Sequence, residues 1–146
     1  MNAFILDLCP RKAARYHSDV HVVKMVLESA QMLCTVHHLL DSTLRELPCM
    51  YKATHVKHPV TVWASQKGCR YSWLYELFAE LAAEYSYRYG ERTHLSWSKL
   101  GDILCTLPPP LADDSTGGFA QVDGFALAMP DEYKDVSSAV SSYRNY

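Results

Sequence analysis

"YHSDVHVVKMVLESAQMLCTVHH", residues 16–38, is the stretch on which the fold turns. Apolar residues recur through it every three or four positions, the period of an amphipathic helix. Ser18 and Asp19 are both good capping residues, and the predicted helix runs from there to about Leu40. Its expected apolar stripe is Val23, Val26, Leu27, Ala30, Leu33, Cys34, Val36, His37 and Leu40. Set into the same stretch is a polar row of His17, His21, Lys24, Glu28, Gln31, Thr35 and His38, which shares one side of a helix. That row is either the wet side of an ordinary helix or a working surface holding a carboxylate between cationic groups. Its wealth of histidine and amide groups, with apolar residues on both flanks, favours a groove in which Glu28 does acid–base work.

Working outward, "AFILDL" (3–8) reads as a short strand or an extended lead-in, and Pro10 suits a first helical turn. Residues 41–58 form a mixed connection. Pro59 opens a short helix, "PVTVWASQ", which Gly68 closes. "CRYSWLYELFAELAAEYSYRYG" (69–90) predicts a second long helix ended by Gly90, its apolar face made of Tyr71, Leu74, Tyr75, Phe78, Leu81, Ala82, Tyr85 and Tyr89. Glu84 stands one turn before Arg88 and pairs with it. A shorter helix over "SWSKLGDILCTL" stops at Pro108, Pro109 and Pro110. Residues 108–130 read as a long loop packed by Phe119 and Phe125, and "PDEYKDVSSAVSSYRNY" as one more short helix. The fold class is mostly α, a single helical domain over 1–146 with two long core helices and a long C-terminal loop region. An end cut short after Tyr146 is conceivable.

The bulk numbers are those of a folded soluble protein: 49% hydrophobic and 21% charged residues in 146. No apolar run is long enough to span a bilayer, and the N-terminus has neither basic leader nor cleavage site. A cytoplasmic location is expected. Five cysteines, an odd number without a CxxC pair, read as reduced and mostly buried. The net charge of -2 gives no global attraction to nucleic acid, but the halves differ. Residues 1–75 hold nine Lys/Arg against five Asp/Glu, whereas 76–146 hold five against eleven. A basic face built from Arg11, Lys12, Arg15, Lys24, Arg45, Lys52, Lys57, Lys67 and Arg70 follows if these converge.

"HSDVH" and "HVKH" (55–58) each offer histidines near one another, and a metal-dependent hydrolase with Glu28 as base is one reading. The spacing is not that of HExxH and no third ligand is indicated, so no metal and no cofactor is assigned. In "EYSYRYG", Tyr85 and Tyr89 fall on the apolar side, leaving Tyr87 free to meet a ligand.

The order "HSDVHVVKMVLESAQML", "KHPVTVW", "YSWLYELFAELAAEYSYRYGERTH", "AMPDEYK" and "SYRNY" resembles a family of uncharacterised bacteriophage proteins over nearly the whole chain. The frame of "KMVLESAQML", a His-Pro followed by Trp63, and a later Tyr/Trp-rich helix is also similar to the pyrimidine-dimer DNA glycosylase superfamily. That second resemblance implies small all-helical enzymes that attack a nucleotide sugar with their N-terminal amine and use a glutamate on an early helix. Carried across, the glutamate is Glu28 and the amine belongs to Met1, or to Asn2 if Met1 is removed. Around these, the residues expected to bind substrate are His17, His21, Lys24, Gln31, His58, Trp63, Arg70 and Tyr87. The leading expectation is therefore a DNA-binding protein with glycosylase or AP-lyase chemistry in a host cytoplasm. Its rival is a non-enzymatic factor that inhibits a host protein or sequesters a small nucleotide through its acidic, aromatic second half.

Overall fold

The computed structural model describes residues 1–114 and 122–146. Six α-helices carry the fold: α1 (Pro10–Tyr16), α2 (Asp19–Leu39), α3 (Pro59–Ala64), α4 (Gly68–Arg88), α5 (Leu95–Leu104) and α6 (Ala139–Asn145). Short 3-10 turns lie at Thr43–Glu46, Pro109–Asp114 and Asp131–Tyr133, and no strand occurs among the described residues. "AFILDL" is extended chain without a strand partner.

The helix starts follow capping chemistry. Ser18 Oγ accepts from the His21 amide at the head of α2. Pro10 and Pro59 occupy the first turns of α1 and α3, where a missing N–H costs nothing. His58 and His94 cap α3 and α5 through Nδ1, which accepts from the Val60 and Ser96 amides. Gly90 leaves α4 at a positive φ of 69°, a conformation that glycine adopts without strain. Gly68 does not close α3. It is the first residue of α4, directly after the extended Lys67.

The two long helices pack on one another and form the spine, with α1 against α4 and α3 and α5 against both. Because α2 is covered from several sides, its buried set is wider than one stripe and turned from the expected one. Val22, Met25, Ser29, Met32 and Thr35 are buried alongside Val26, Leu33 and Val36, whereas Val23 and Leu27 are 38% exposed. On α4, the fully buried Trp73 and Leu77 join Tyr71, Leu74, Phe78 and Leu81, while Tyr75, Tyr85 and Tyr89 are only half-buried.

Polar ties hold the helices in register. Arg88 pairs with Glu84 at 2.9 Å, as the spacing predicts, and reaches the Arg15 and His17 carbonyls and the Asp19 carboxylate at 2.8–3.0 Å. One guanidinium thus clamps the α1–α2 corner to the end of α4. In the core, Tyr71 donates to the Leu104 carbonyl (2.9 Å) and therefore accepts from His37 Nε2 (2.8 Å). Burial pushes the His37 imidazole down to about 4, so it stays neutral.

The segment from Val122 to Met129 lies along the N-terminal strand of chain. Phe125 stacks on Trp63 at 5.0 Å and meets Trp73 edge-on. Tyr143 of α6 donates to the Ala126 carbonyl and accepts from the Ala128 amide. Phe119, the other expected packing residue of this loop, lies outside the described residues.

Candidate functional site

The extended residues 1–5 run across the face of α2 and bring the start of the chain to Glu28. The Asn2 amide donates to Glu28 Oε2 at 2.7 Å, and the Met1 nitrogen stands 3.8 Å from the same oxygen. Glu28 Oε1 faces Lys24 Nζ at 3.6 Å, one turn back along α2. Asn2 is anchored on its far side, where Nδ2 donates to the Ala128 carbonyl at 2.9 Å. Its Oδ1 accepts from the Ala3 amide. Glu28 itself is 7% exposed. A nearly buried carboxylate, one backbone N–H and two amines thus share a few ångströms.

His58 completes this group. Its Nδ1 accepts the Val60 amide as the α3 cap, so in the neutral ring the proton sits on Nε2. Burial lowers its pKa first and the nearby N-terminal charge lowers it further, against opposing pulls from the Met1 backbone and Glu28. A neutral His58 adds no further cation beside the amines.

The polar row on α2 is therefore neither wet throughout nor sheltered throughout. His21 and Lys24 are exposed, Gln31 and His38 are half-buried, and Glu28 and Thr35 are buried. Thr35 donates to the Gln31 and Thr54 carbonyls, and His38 meets the Tyr51 carbonyl, so the far end of the row ties down the 51–54 connection.

Several expected binding residues serve the fold instead. His17 is 3% exposed, hydrogen-bonds the Ala13 carbonyl through Nδ1 and packs against Phe4. Burial holds its pKa down to about 4. Trp63 is 4% exposed, with both ring neighbours in place and its N–H on the Asp123 carbonyl. Arg70 pairs with Asp123 and Gln66 and lies over the Trp63 ring, so its charge is spent on the 123–125 loop. Tyr87 is 84% exposed but lines a different cleft, with Arg15 and Glu84. For His17, Trp63 and Arg70 the cause is one: chain spacing cannot show which aromatic or cation the distant 122–129 loop and the α1–α2 corner will cover. Tyr87 is free, as the sequence reading has it, but in another cleft.

No family model, curated protein or solved structure matches this chain.

Much of the positive charge of the first half is matched by carboxylates. Arg11 is paired with Glu80, Arg45 with Asp41 and Glu46, and Lys67 and Arg70 with Asp123. Lys12, Arg15, Lys52 and Lys57 have exposed side chains without an ion pair among the described residues. Lys52 and Lys57 belong to the connection that ends at His58, beside the Met1–Glu28 pair. Among the described residues no group of three or more His, Cys, Asp or Glu side chains is placed to hold a metal. His55 of the "HVKH" pair instead bonds Thr54. No helix among them is long and apolar enough to cross a membrane.

Phe4, Tyr143 and Tyr146 were not expected near this edge. They gather beside His21, and the one signal for them is the aromatic spacing of "SSYRNY" at the other end of the chain.

Proposed function

We propose that this protein acts on DNA at a sugar carbon, with the N-terminal amine as nucleophile and Glu28 as the group that moves protons. The observation that carries this reading is the 3.8 Å separation of the Met1 nitrogen from a carboxylate that is 7% exposed. Attack requires the lone pair of the neutral amine, and the adjoining Glu28 carboxylate is the group placed to take the proton that frees it. On an abasic sugar the neutral nitrogen attacks the C1′ aldehyde, forming an N–C1′ bond. The carbinolamine then loses water, its oxygen leaving with a proton relayed from Glu28, to give an iminium ion. The Glu28 carboxylate next takes a proton from C2′. The electron pair of that C2′–H bond becomes the C2′=C3′ double bond, conjugated to the iminium, as the 3′ C–O bond breaks and the phosphate leaves with its electrons.

Two features support the assignment of roles. The Asn2 amide and Ala128 carbonyl fix the terminus, so the nitrogen is oriented before substrate arrives. Lys52 and Lys57, on the connection that ends at His58, supply exposed cations without an ion pair among the described residues for backbone phosphates.

The test is borohydride trapping on DNA with a single abasic site. The protein should form a reduced covalent adduct, and Glu28→Gln should lower adduct formation and strand cleavage about a hundredfold or more. Absence of any wild-type adduct would sink the proposal.

A second reading is favoured by Val20, Val23 and Leu27, exposed apolar residues of α2, the helix against which α5 and its exposed Leu95 pack. An apolar strip of this kind suits a protein partner. A non-catalytic binding factor should then keep its partner when Glu28 is changed and lose it on Val20→Asp.

A further inference from the structure

Beside the amine site, three parts of the chain enclose an open cleft of about 500 Å³. Its floor is Phe4 and Leu6 of the extended segment. One wall is Tyr16 and His21, from the α1–α2 corner, and the other is Tyr143 and Tyr146 of the last helical turn. Phe4 is the hub: its ring lies tilted against His21 at 4.9 Å and 30°, and meets Tyr143 and Tyr146 at 6.1 and 6.3 Å. Tyr143 is locked by its bonds to Ala126 and Ala128. Tyr16 and Tyr146 are different, 57% and 53% exposed, and neither hydroxyl has a hydrogen-bond partner among the described residues. Arg144 lies over the Tyr16 ring at 5.3 Å, its Nε donating to the Leu6 carbonyl.

We infer that this cleft is a stacking site for a single unpaired nucleobase, next to the nucleotide whose sugar meets the Met1 nitrogen. The inference rests on the DNA reading above. Flat aromatic faces on opposing walls suit a planar ring rather than an aliphatic chain, and base–aromatic stacking is tolerant of sequence. The free phenol groups of Tyr16 and Tyr146 can meet the polar edge of a base. Arg144 is also paired with Asp7 at 3.9 Å, so its role at the cleft is to hold the Tyr16 ring in place. The volume holds one nucleotide and is too small for a helix or a duplex.

Distance decides which base. His21 and Glu28 are seven residues apart on one helix, which sets them about 10.5 Å apart along the axis. A base is joined to its own C1′ by a single bond, so a base in this cleft cannot belong to the sugar at Met1. It belongs to a neighbour pulled out of the stack. Holding it would keep the strand open while the reacting sugar sits at the amine, with the extended Met1–Leu6 segment as the track between the two.

The test is a titration of the whole protein with 2′-deoxyadenosine 5′-monophosphate, followed by NMR of the histidine and tyrosine rings, with 2-deoxyribose 5-phosphate as the comparison. The nucleotide should give saturable shifts at His21, and the sugar phosphate should not. Tyr16→Ala and Tyr146→Ala should each weaken binding about tenfold, and Tyr→Phe at either position should stay within about threefold of wild type. Both rings are more than half exposed, so the alanine variants should melt like wild type; His21→Ala serves as a third, independent probe of the same wall. Equal shifts from the sugar phosphate, or alanine variants that bind as wild type, would overturn the inference. This titration requires no amine chemistry. Nucleotide binding without a borohydride adduct would remove the catalytic proposal and leave the stacking site, and an adduct without nucleotide binding would do the reverse. With both intact, Tyr146→Ala should raise the abasic DNA concentration for half-maximal trapping about tenfold; an unchanged value would detach the cleft from the reaction.

Discussion

Adding one residue ahead of Met1 is the sharpest perturbation of the proposed site. The extension turns the Met1 nitrogen into an amide and moves the free amine by up to one residue, about 3.8 Å. An amide nitrogen has no available lone pair, so attack on C1′ from the present position becomes impossible. The fold, by contrast, loses little. At an effective dielectric of about 20, opposite charges 3.8 Å apart attract by about 4 kcal/mol gross. Desolvation of the nearly buried Glu28 offsets most of that, and the Asn2 amide still donates to Oε2. A net loss of about 1 kcal/mol remains, or about 3–4 °C in Tm for a domain of this size. The assay is borohydride trapping beside a thermal melt, on protein whose first residue has been established by intact mass. The extended chain should melt close to the native one and trap at least a hundredfold less. Trapping that survives would refute the assignment of the nucleophile. The second amine at the carboxylate, Lys24 at 3.6 Å, would then be the candidate, and Lys24→Arg should abolish the residual adduct.

Three further outcomes follow from the same geometry. His37 and His17 have folded pKa values pushed down to about 4, below the ordinary 6.5. Their neutral burial therefore stabilises the fold fully above pH 6.5 and progressively less as pH falls towards 4; urea melts across pH 8 to 4.5 should show that loss, and His37→Leu should flatten it. Arg88→Ala removes hydrogen bonds to Arg15, His17, Asp19 and Glu84 and should cost about 2–3 kcal/mol by chemical denaturation, with Arg88→Lys recovering only part. Lys52→Ala and Lys57→Ala should each weaken DNA binding across sequences and reduce the slope of log K against log salt by about one, without changing Tm by more than about 1 °C.

The sequence by itself determined the helices and much of their punctuation. Ser18 ahead of a 3.6-residue apolar period, Pro10 and Pro59 at first turns and Gly90 after the last apolar position are local signals, and local backbone chemistry obeys them. The Glu84–Arg88 pair was legible for the same reason, as one turn of helix sets its geometry. Glu28 stood out in the polar row of α2 and Met1 and Asn2 by resemblance, but the sequence carried no signal of their 3.8 Å approach. That approach arises because the extended 1–5 segment is pinned by Ala128, 126 residues away from Asn2. Long-range closure also decided which polar groups work and which are buried. Trp63 and Arg70 look like ligand contacts until Asp123 and Phe125 arrive to cover them. His17 looks like a partner of His21 until Phe4 and Ala13 enclose it, and Val23 and Leu27 look like core until α2 turns its other side to α4. Spacing along a chain gives the angle of a side chain about its own helix. Only the packing of other elements around that helix sets which angles are dry.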